Sequence, residues 1–310
     1  MDRHQVAAGA PLRVRISANG ITLEVEDTGP ADRPAVVLVM GLGMQLVAWP
    51  PEFIEALHGA GFRVVRFDNR DIGLSDKLDH LGVPNLVWES LKHRMGLPVH
   101  APYTVHDMAT DTLGVMDALG IGQAHLVGVS MGGMVAQRVA LAAPARVRSL
   151  TSVMSSSGAR YLPGPKAHVL QTLLSRPKGY GEKALVEHYL KLFRAIGSPG
   201  FPLDEYEMRQ RILAGVRRNF HPSGTARQMA AIAADTRRAD ELPRIKVPTL
   251  VVHGRDDPLV PFACGQDTAR RISGAKLVAV DGMGHDLPPG VVDHVLAPLL
   301  PHLAGAQEQA

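Results

Sequence analysis

The stretch Ala124-His125-Leu126-Val127-Gly128-Val129-Ser130-Met131-Gly132-Gly133-Met134-Val135-Ala136 constrains this chain more than any other. It joins a short apolar run to a helical one through a turn of small residues, with Ser130 at the apex. A serine in a G-x-S-x-G turn takes a strained backbone conformation, and Gly128 and Gly132 let strand and helix pass close together. Ser130 then stands above the carboxyl edge of a sheet. The N–H of Met131 opens the helix, where unsatisfied donors and the helix dipole favour a developing negative charge. The pattern alone is weak, recurring by chance in about one chain in ten of this glycine content. Its meaning depends on what surrounds it.

At 310 residues and 45% hydrophobic content the chain has the length for one large α/β domain or two small ones and the apolar residues for a sizeable core. Thirty-three Lys and Arg against 30 Asp and Glu leave a net charge of +3. Arg217-Arg218 and Arg237-Arg238 are isolated pairs, so no basic track exists for nucleic acid. The single cysteine, Cys264, excludes an internal disulfide and fits a reducing compartment, with no special chemistry expected of it. Met1-Asp2-Arg3-His4-Gln5 leads into no apolar run, and no stretch has the length of a membrane span. The expectation is a cytoplasmic protein, monomer or homodimer, without a membrane span.

Strand signals come first. Residues 12–18 and 21–26 flank Asn19-Gly20, a hairpin turn signal. Residues 35–40 and 63–68 are apolar on both faces, as parallel strands covered by helices are. Between them stands Gly41-Leu42-Gly43-Met44-Gln45-Leu46. With Asp68 as a ribose ligand this could be a dinucleotide loop, but the third glycine position is Leu46 and Trp49-Pro50-Pro51 breaks the required helix. An oxyanion loop is the better reading, with the N–H of Leu42 turned toward the nucleophile. In Asp68-Asn69-Arg70-Asp71-Ile72-Gly73-Leu74-Ser75, Asp68 and Arg70 could serve chemistry, but the preferred reading is that they clamp that loop through a buried ion pair and hydrogen bonds. Residues 83–98 look like a poorly patterned insertion at the entrance to a site. A helix is expected over residues 104–119, and a further buried strand over 147–154.

Strand signals vanish between residues 159 and 239. Leu185, Tyr189, Phe193 and Ile196 recur on one helical face, and similar patterns occupy 204–218 and 225–234. The sheet rhythm resumes over 248–254 and 275–280, with helices over 264–272 and 291–303. The expected domains are therefore a core of residues 1–158 and 240–310, with 159–239 inserted as a helical cap over the carboxyl edge.

A serine hydroxyl is a poor nucleophile unless a base takes its proton and a third group orients that base. Two later strands end in suitable loops, Arg255-Asp256-Asp257-Pro258 and Asp281-Gly282-Met283-Gly284-His285-Asp286. Both leave the carboxyl edge where Ser130 sits. His285 lies on a glycine-rich loop suited to a base, whereas His294, His302 and His125 fall in helix or strand patterns. Asp257 is preferred over Asp256 because Pro258 fixes its turn. No acid follows the strand at 147–154. The order Ser, Asp, His is one of the known orders for this chemistry.

In these segments, together with Met40-Gly41-Leu42-Gly43, the chain resembles the α/β-hydrolase fold family from about residue 12 to 303. Within it the similarity is to the bacterial esterase group that includes aclacinomycin methylesterase and proline iminopeptidase-like proteins. The resemblance implies a mostly parallel central sheet flanked by helices with an inserted helical cap, Ser130 as nucleophile, Asp257 as acid, His285 as base, and the N–H groups of Leu42 and Met131 as the oxyanion hole. Two positions depart from the family: Met40 stands where it often has His, and Asp71 where it often has Gly. The activity expected is a serine carboxylesterase cleaving small carboxylic esters, with no metal or organic cofactor. An iminopeptidase is the enzymatic alternative, and it would need acids such as Glu205 or Glu207 in the pocket. A ligand-sensing homologue of slow turnover is the other.

Overall fold

The structure, a computed structural model, describes residues 12–202 and 204–307. The N-terminal residues 1–5, read above as leading into no apolar run, lie outside the described residues. Strands β1 (Leu12–Ala18) and β2 (Ile21–Asp27) form the expected hairpin, and Asn19 and Gly20 both take positive φ, 49° and 77°, as tight hairpin turns require. Strands β3 (Ala35–Val39), β4 (Arg63–Phe67), β5 (Ala124–Val129), β6 (Val147–Val153), β7 (Thr249–Gly254) and β8 (Lys276–Val280) complete one sheet in the order β1-β2-β4-β3-β5-β6-β7-β8. The β1–β2 and β2–β4 pairs are antiparallel, and strands β3 to β8 run parallel to one another.

The continuous apolar runs are explained by layers on both sides. Val37, Val39, Val65 and Leu126 face α3 (Val105–Ala118) and α4 (Met131–Ala142), while Val36, Leu38, Val64 and Val127 face α1 (Pro51–Gly59) and α11 (Pro289–Gln307). Thr104 starts α3 in a reciprocal capping box with Asp107. Helix α11 is longer than its sequence pattern, running through Pro298 and Pro301. Its buried Val291, Val292, Val295, Leu299 and Leu303 hold it on the sheet despite the lost donors. Residues 83–98 are not irregular: they contain α2 (Leu86–Met95), whose Trp88 N–H donates to Asn85.

After β3 the chain turns to one side to make β4, then returns across to β5 on the other. That reversal opens a crevice at the carboxyl ends of β3 and β5, the place where such sheets bind ligands.

Between β6 and β7 lie α5 (Ala167–Leu173), α6 (Gly181–Ile196), α7 (Glu205–Arg218), α8 (Pro222–Ala234) and α9 (Arg238–Glu241); α10 (Phe262–Arg271) follows β7. Helices α6 and α7 pack on each other through Val186, Leu190 and Ile212. Helix α8 is rooted in the sheet domain instead. Arg227, fully buried on α8, donates to Asp71 at 2.7 and 2.8 Å, to Asp79 at 2.9 Å and to the Gly82 carbonyl at 2.9 Å. Just beyond it, Asp235 pairs with Arg138 of α4.

Candidate active site

Ser130, between β5 and α4, has φ 55° and ψ −120°, a conformation costing on the order of 1–3 kcal/mol for a residue with a side chain. The surrounding structure fixes it: its N–H donates to Val153 O at 2.9 Å, and its carbonyl accepts from Ser155 Oγ at 2.7 Å. The glycines are required sterically. A Cβ on Gly128 would lie 2.2 Å from Gly132 O, and one on Gly132 would lie 1.9 Å from Val39 O.

His285 Nε2 is 3.0 Å from Ser130 Oγ, and its Nδ1 is 2.7 Å from Asp257 Oδ2. Asp257 is 3% exposed, and its second oxygen accepts the N–H groups of Leu259 and Val260 at 2.9 and 2.8 Å. Burial pushes this carboxyl upward. The facing His285 ring, followed by the hydrogen bonds of His253 and His285, outweighs that and holds it below the usual carboxylate range. An ionised carboxylate only accepts, so the His285 proton sits on Nδ1 and Nε2 is left to accept from Ser130. His253 stands behind Asp257, with Nε2 2.7 Å from the Val260 carbonyl and 3.6 Å from Asp257 Oδ2. Asp256 is placed differently: its Oδ2 accepts the Gly282 N–H at 2.9 Å and does not reach His285.

The loop after β3 lies directly against the serine, since a Cβ on Gly41 would sit 3.3 Å from Ser130 Cβ. Among the described residues, no acceptor partners the N–H of Leu42 or of Met131. The next donor along, Gly43 N–H, is taken by Gln228 Oε1 at 2.9 Å, and the Gln228 amide donates to Arg70 O at 3.0 Å. Helix α8 therefore holds the loop from outside. The structure begins α1 only at Pro51, after a short turn over Leu46–Ala48, so no helix N-terminus follows the glycines as a dinucleotide site would need.

Asp68 and Arg70 are both in buried ion pairs, but not with each other. Asp68 accepts the N–H groups of Leu46 and Leu74 at 2.7 and 2.8 Å and pairs with Arg218 of α7 at 2.6 Å; Arg70 pairs with Asp111 of α3 at 2.6 Å. Asp71, where the family often has glycine, takes φ 72°. Aspartate tolerates this left-handed region, and the buried Arg227 neutralises it there.

A cavity of about 260 Å³ lies under α6 and α7, lined by the residues next in the chain to Leu42 and His285. It starts at Gly43 and Met44 on one loop and at Asp286 and Leu287 on the other, and Tyr189, Phe193, Ile212 and Val216 of α6 and α7 line it. Among the described residues, none of 83–98 lines it, so the expectation that this stretch lines the entrance finds no support there. Glu205 and Glu207 do not reach it either: Glu205 is held by Arg194 and Arg209 on the outer surface, and Glu207 faces Arg211. His125 is bonded to Ser149, and His294 and His302 lie on α11. Cys264 is buried on α10, and burial pushes its thiol up to about 11. Among the described residues no group of three or more His, Cys, Asp or Glu could hold a metal ion, and no helix is long and apolar enough to cross a membrane.

Residues 34–288 match the model of the alpha/beta hydrolase fold family. The chain belongs to that family. This hydrolase is similar to rhodomycin D methylesterase DauP of Streptomyces sp. (strain C5), with 32% identity over 96% of this chain and 99% of that one. It is similar too to rhodomycin D methylesterase DnrP of Streptomyces peucetius, with 30% identity and the same coverage. Among solved structures, the 2-hydroxy-6-oxo-6-phenylhexa-2,4-dienoate hydrolase BphD of Rhodococcus sp. strain RHA1 shares the fold. The TM-score is 0.72 at 22% identity, over 95% of this hydrolase and 99% of that chain.

Sequence reasoning missed Gln228, Ser155, His253 and Ser198, all of which hold the loops of the site. The partners of Gln228, Ser155 and Ser198 lie far away in the chain; those of His253, Asp257 and Val260, are close by, but an apolar strand pattern does not single out the imidazole.

Proposed function

We propose that this ester hydrolase is a serine carboxylesterase in which Ser130, His285 and Asp257 form the catalytic triad. The observation that carries the reading is the unbroken chain of contacts from Ser130 Oγ through His285 to Asp257, with two unpartnered N–H donors beside it. His285 Nε2 takes the Ser130 proton as Oγ attacks the ester carbonyl, and Asp257 stabilises the imidazolium. The N–H groups of Leu42 and Met131 donate to the oxyanion. His285 then gives its proton to the departing alkoxide, and an acyl-Ser130 remains. Water, deprotonated by His285, frees the acid.

Residues 159–239 act as the cap, with α6 and α7 closing over the carboxyl edge and α8 anchored to the core. The apolar cavity under α6 and α7 supports a bulky apolar acyl part, and the methylesterase relatives support a short alcohol as leaving group. The iminopeptidase alternative loses its support, because Glu205 and Glu207 are paired on the outside.

The test is pre-steady-state hydrolysis of nitrophenyl esters from acetate to long-chain by the wild type and by Ser130→Ala. A burst followed by turnover is expected, absent in Ser130→Ala. Retained acylation in that variant refutes the nucleophile. A burst without turnover points to a sensor, and no burst at all moves amino-terminal prolyl amides to the front.

A further inference from the structure

The loop that carries His285 is held from two sides. On the core side, Asp256 accepts the Gly282 N–H, and the Asp256 N–H donates to Met283 O at 3.2 Å. On the other side lies the segment Gly197-Ser198-Pro199-Gly200-Phe201, which leaves the C-terminus of α6. The N–H of His285 itself donates to Ile196 O at 2.7 Å, and the N–H of Gly284 donates to Ser198 Oγ at 2.8 Å. The Ser198 hydroxyl donates in turn to Asp286 Oδ1. A further bond joins Gly200 N–H to Gly282 O at 2.9 Å.

Ser198, Asp286 and His285 are all at least nine-tenths buried. The approach is close enough to exclude side chains: a Cβ on Gly284 would lie 2.3 Å from Gly197 O, and one on Gly282 would lie 2.8 Å from the Gly200 Cα. The main-chain N–H groups of Gly284 and His285 and the carboxylate of Asp286 therefore take partners from the end of α6 and the strap that follows it, while the His285 ring meets Asp257 and Ser130. The same helix, α6, presents Tyr189 and Phe193 to the cavity.

We infer that Ser198 is a positioning residue for His285, a latch through which the inserted helix α6 sets the base against Ser130. The inference rests on the reading of His285 as the base. One hydroxyl satisfies both the N–H before His285 and the carboxylate after it, so it fixes the loop on either side of the ring. Without it the imidazole is free to shift relative to Ser130 Oγ, and a displacement near 1 Å costs up to about a hundredfold in rate. Binding at Tyr189 and Phe193 is thereby joined to the placement of the base by about one turn of helix and a five-residue strap.

The experiment compares wild type, Ser198→Ala, Ser198→Thr and Ser130→Ala on the best nitrophenyl ester of the series, with full kcat and KM. Proton NMR of the His285 Nδ1–H resonance far downfield accompanies it. In Ser198→Ala, kcat is expected to fall at least about tenfold with KM within about twofold, and the downfield proton to broaden or vanish. Ser198→Thr keeps the hydroxyl and should bring both back to within about threefold of wild type. Wild-type kcat and an unchanged downfield proton in Ser198→Ala overturn the latch. So does a loss shared equally by KM and thermal stability that threonine does not rescue, which would be a merely structural role. Turnover retained in Ser130→Ala sinks the triad reading whatever Ser198 does; intact dependence on Ser130 with a silent Ser198→Ala sinks the latch alone.

Discussion

Asp286 offers a stability test whose size follows from its surroundings. It is 6% exposed; one oxygen accepts from Ser198 and the other, packed against Gly197, has no partner among the described residues. Burial raises its pKa from 3.8 to about 6, against the opposing pull of the Ser198 hydroxyl. A raised folded-state value means that the folded protein binds the proton more tightly than the unfolded chain. The stabilisation is full below about 3.8 and is lost as pH rises through about 6. At about 1.4 kcal/mol per unit, the charged form costs on the order of 3 kcal/mol at pH 8. In Asp286→Asn the titrating group is gone. Its stability relative to wild type should therefore rise by about 2.5 kcal/mol between pH 4 and pH 8, whatever fixed offset the buried amide adds. Asp257, held below its usual range, contributes stability that is lost as pH falls, but it is common to both proteins and cancels. Thermal melts of the two proteins at half-unit steps read the difference, which should amount to several degrees in Tm by pH 8. A difference that stays flat from pH 4 to pH 8 would refute the argument that Asp286 is charged at a desolvation cost.

Asp257→Asn should reduce kcat by on the order of 10³–10⁴, because a neutral amide no longer holds the His285 proton on Nδ1. Asp256→Asn keeps an oxygen for the Gly282 N–H and should stay within about tenfold; the reverse ranking, measured on one ester, would reject the acid assignment. Arg227→Met leaves Asp71 buried without its guanidinium and should cost about 3–5 kcal/mol. A melting point lowered by less than about 2 °C would mean that α8 is held by something other than this pair.

The strands and the residues of the proposed triad are legible in the sequence because each is announced locally. The buried runs at 35–39, 63–67, 147–153 and 249–254 lie within a residue of the expected bounds, and the run before Ser130 is the strand 124–129. Ser130 sits in its glycines, and Asp257 and His285 lie on the loops that follow β7 and β8. What fails is the pairing of charges across long separations. Asp68, Arg70 and Asp71 are adjacent in the chain, yet they meet Arg218, Asp111 and Arg227, and nothing in the pattern of α3, α7 or α8 names those partners. The cavity is hidden for a different reason. Leu185, Tyr189, Phe193 and Ile196 form one apolar stripe by period, but the structure packs Val186 and Leu190 against Ile212 and leaves Tyr189 and Phe193 to line the cavity. Packing against a neighbouring helix and facing a ligand select the same residue types at the same spacing. A helix that does both looks in sequence like a helix that does only the first. The division of labour along α6 becomes visible only where its C-terminus reaches the loop of His285.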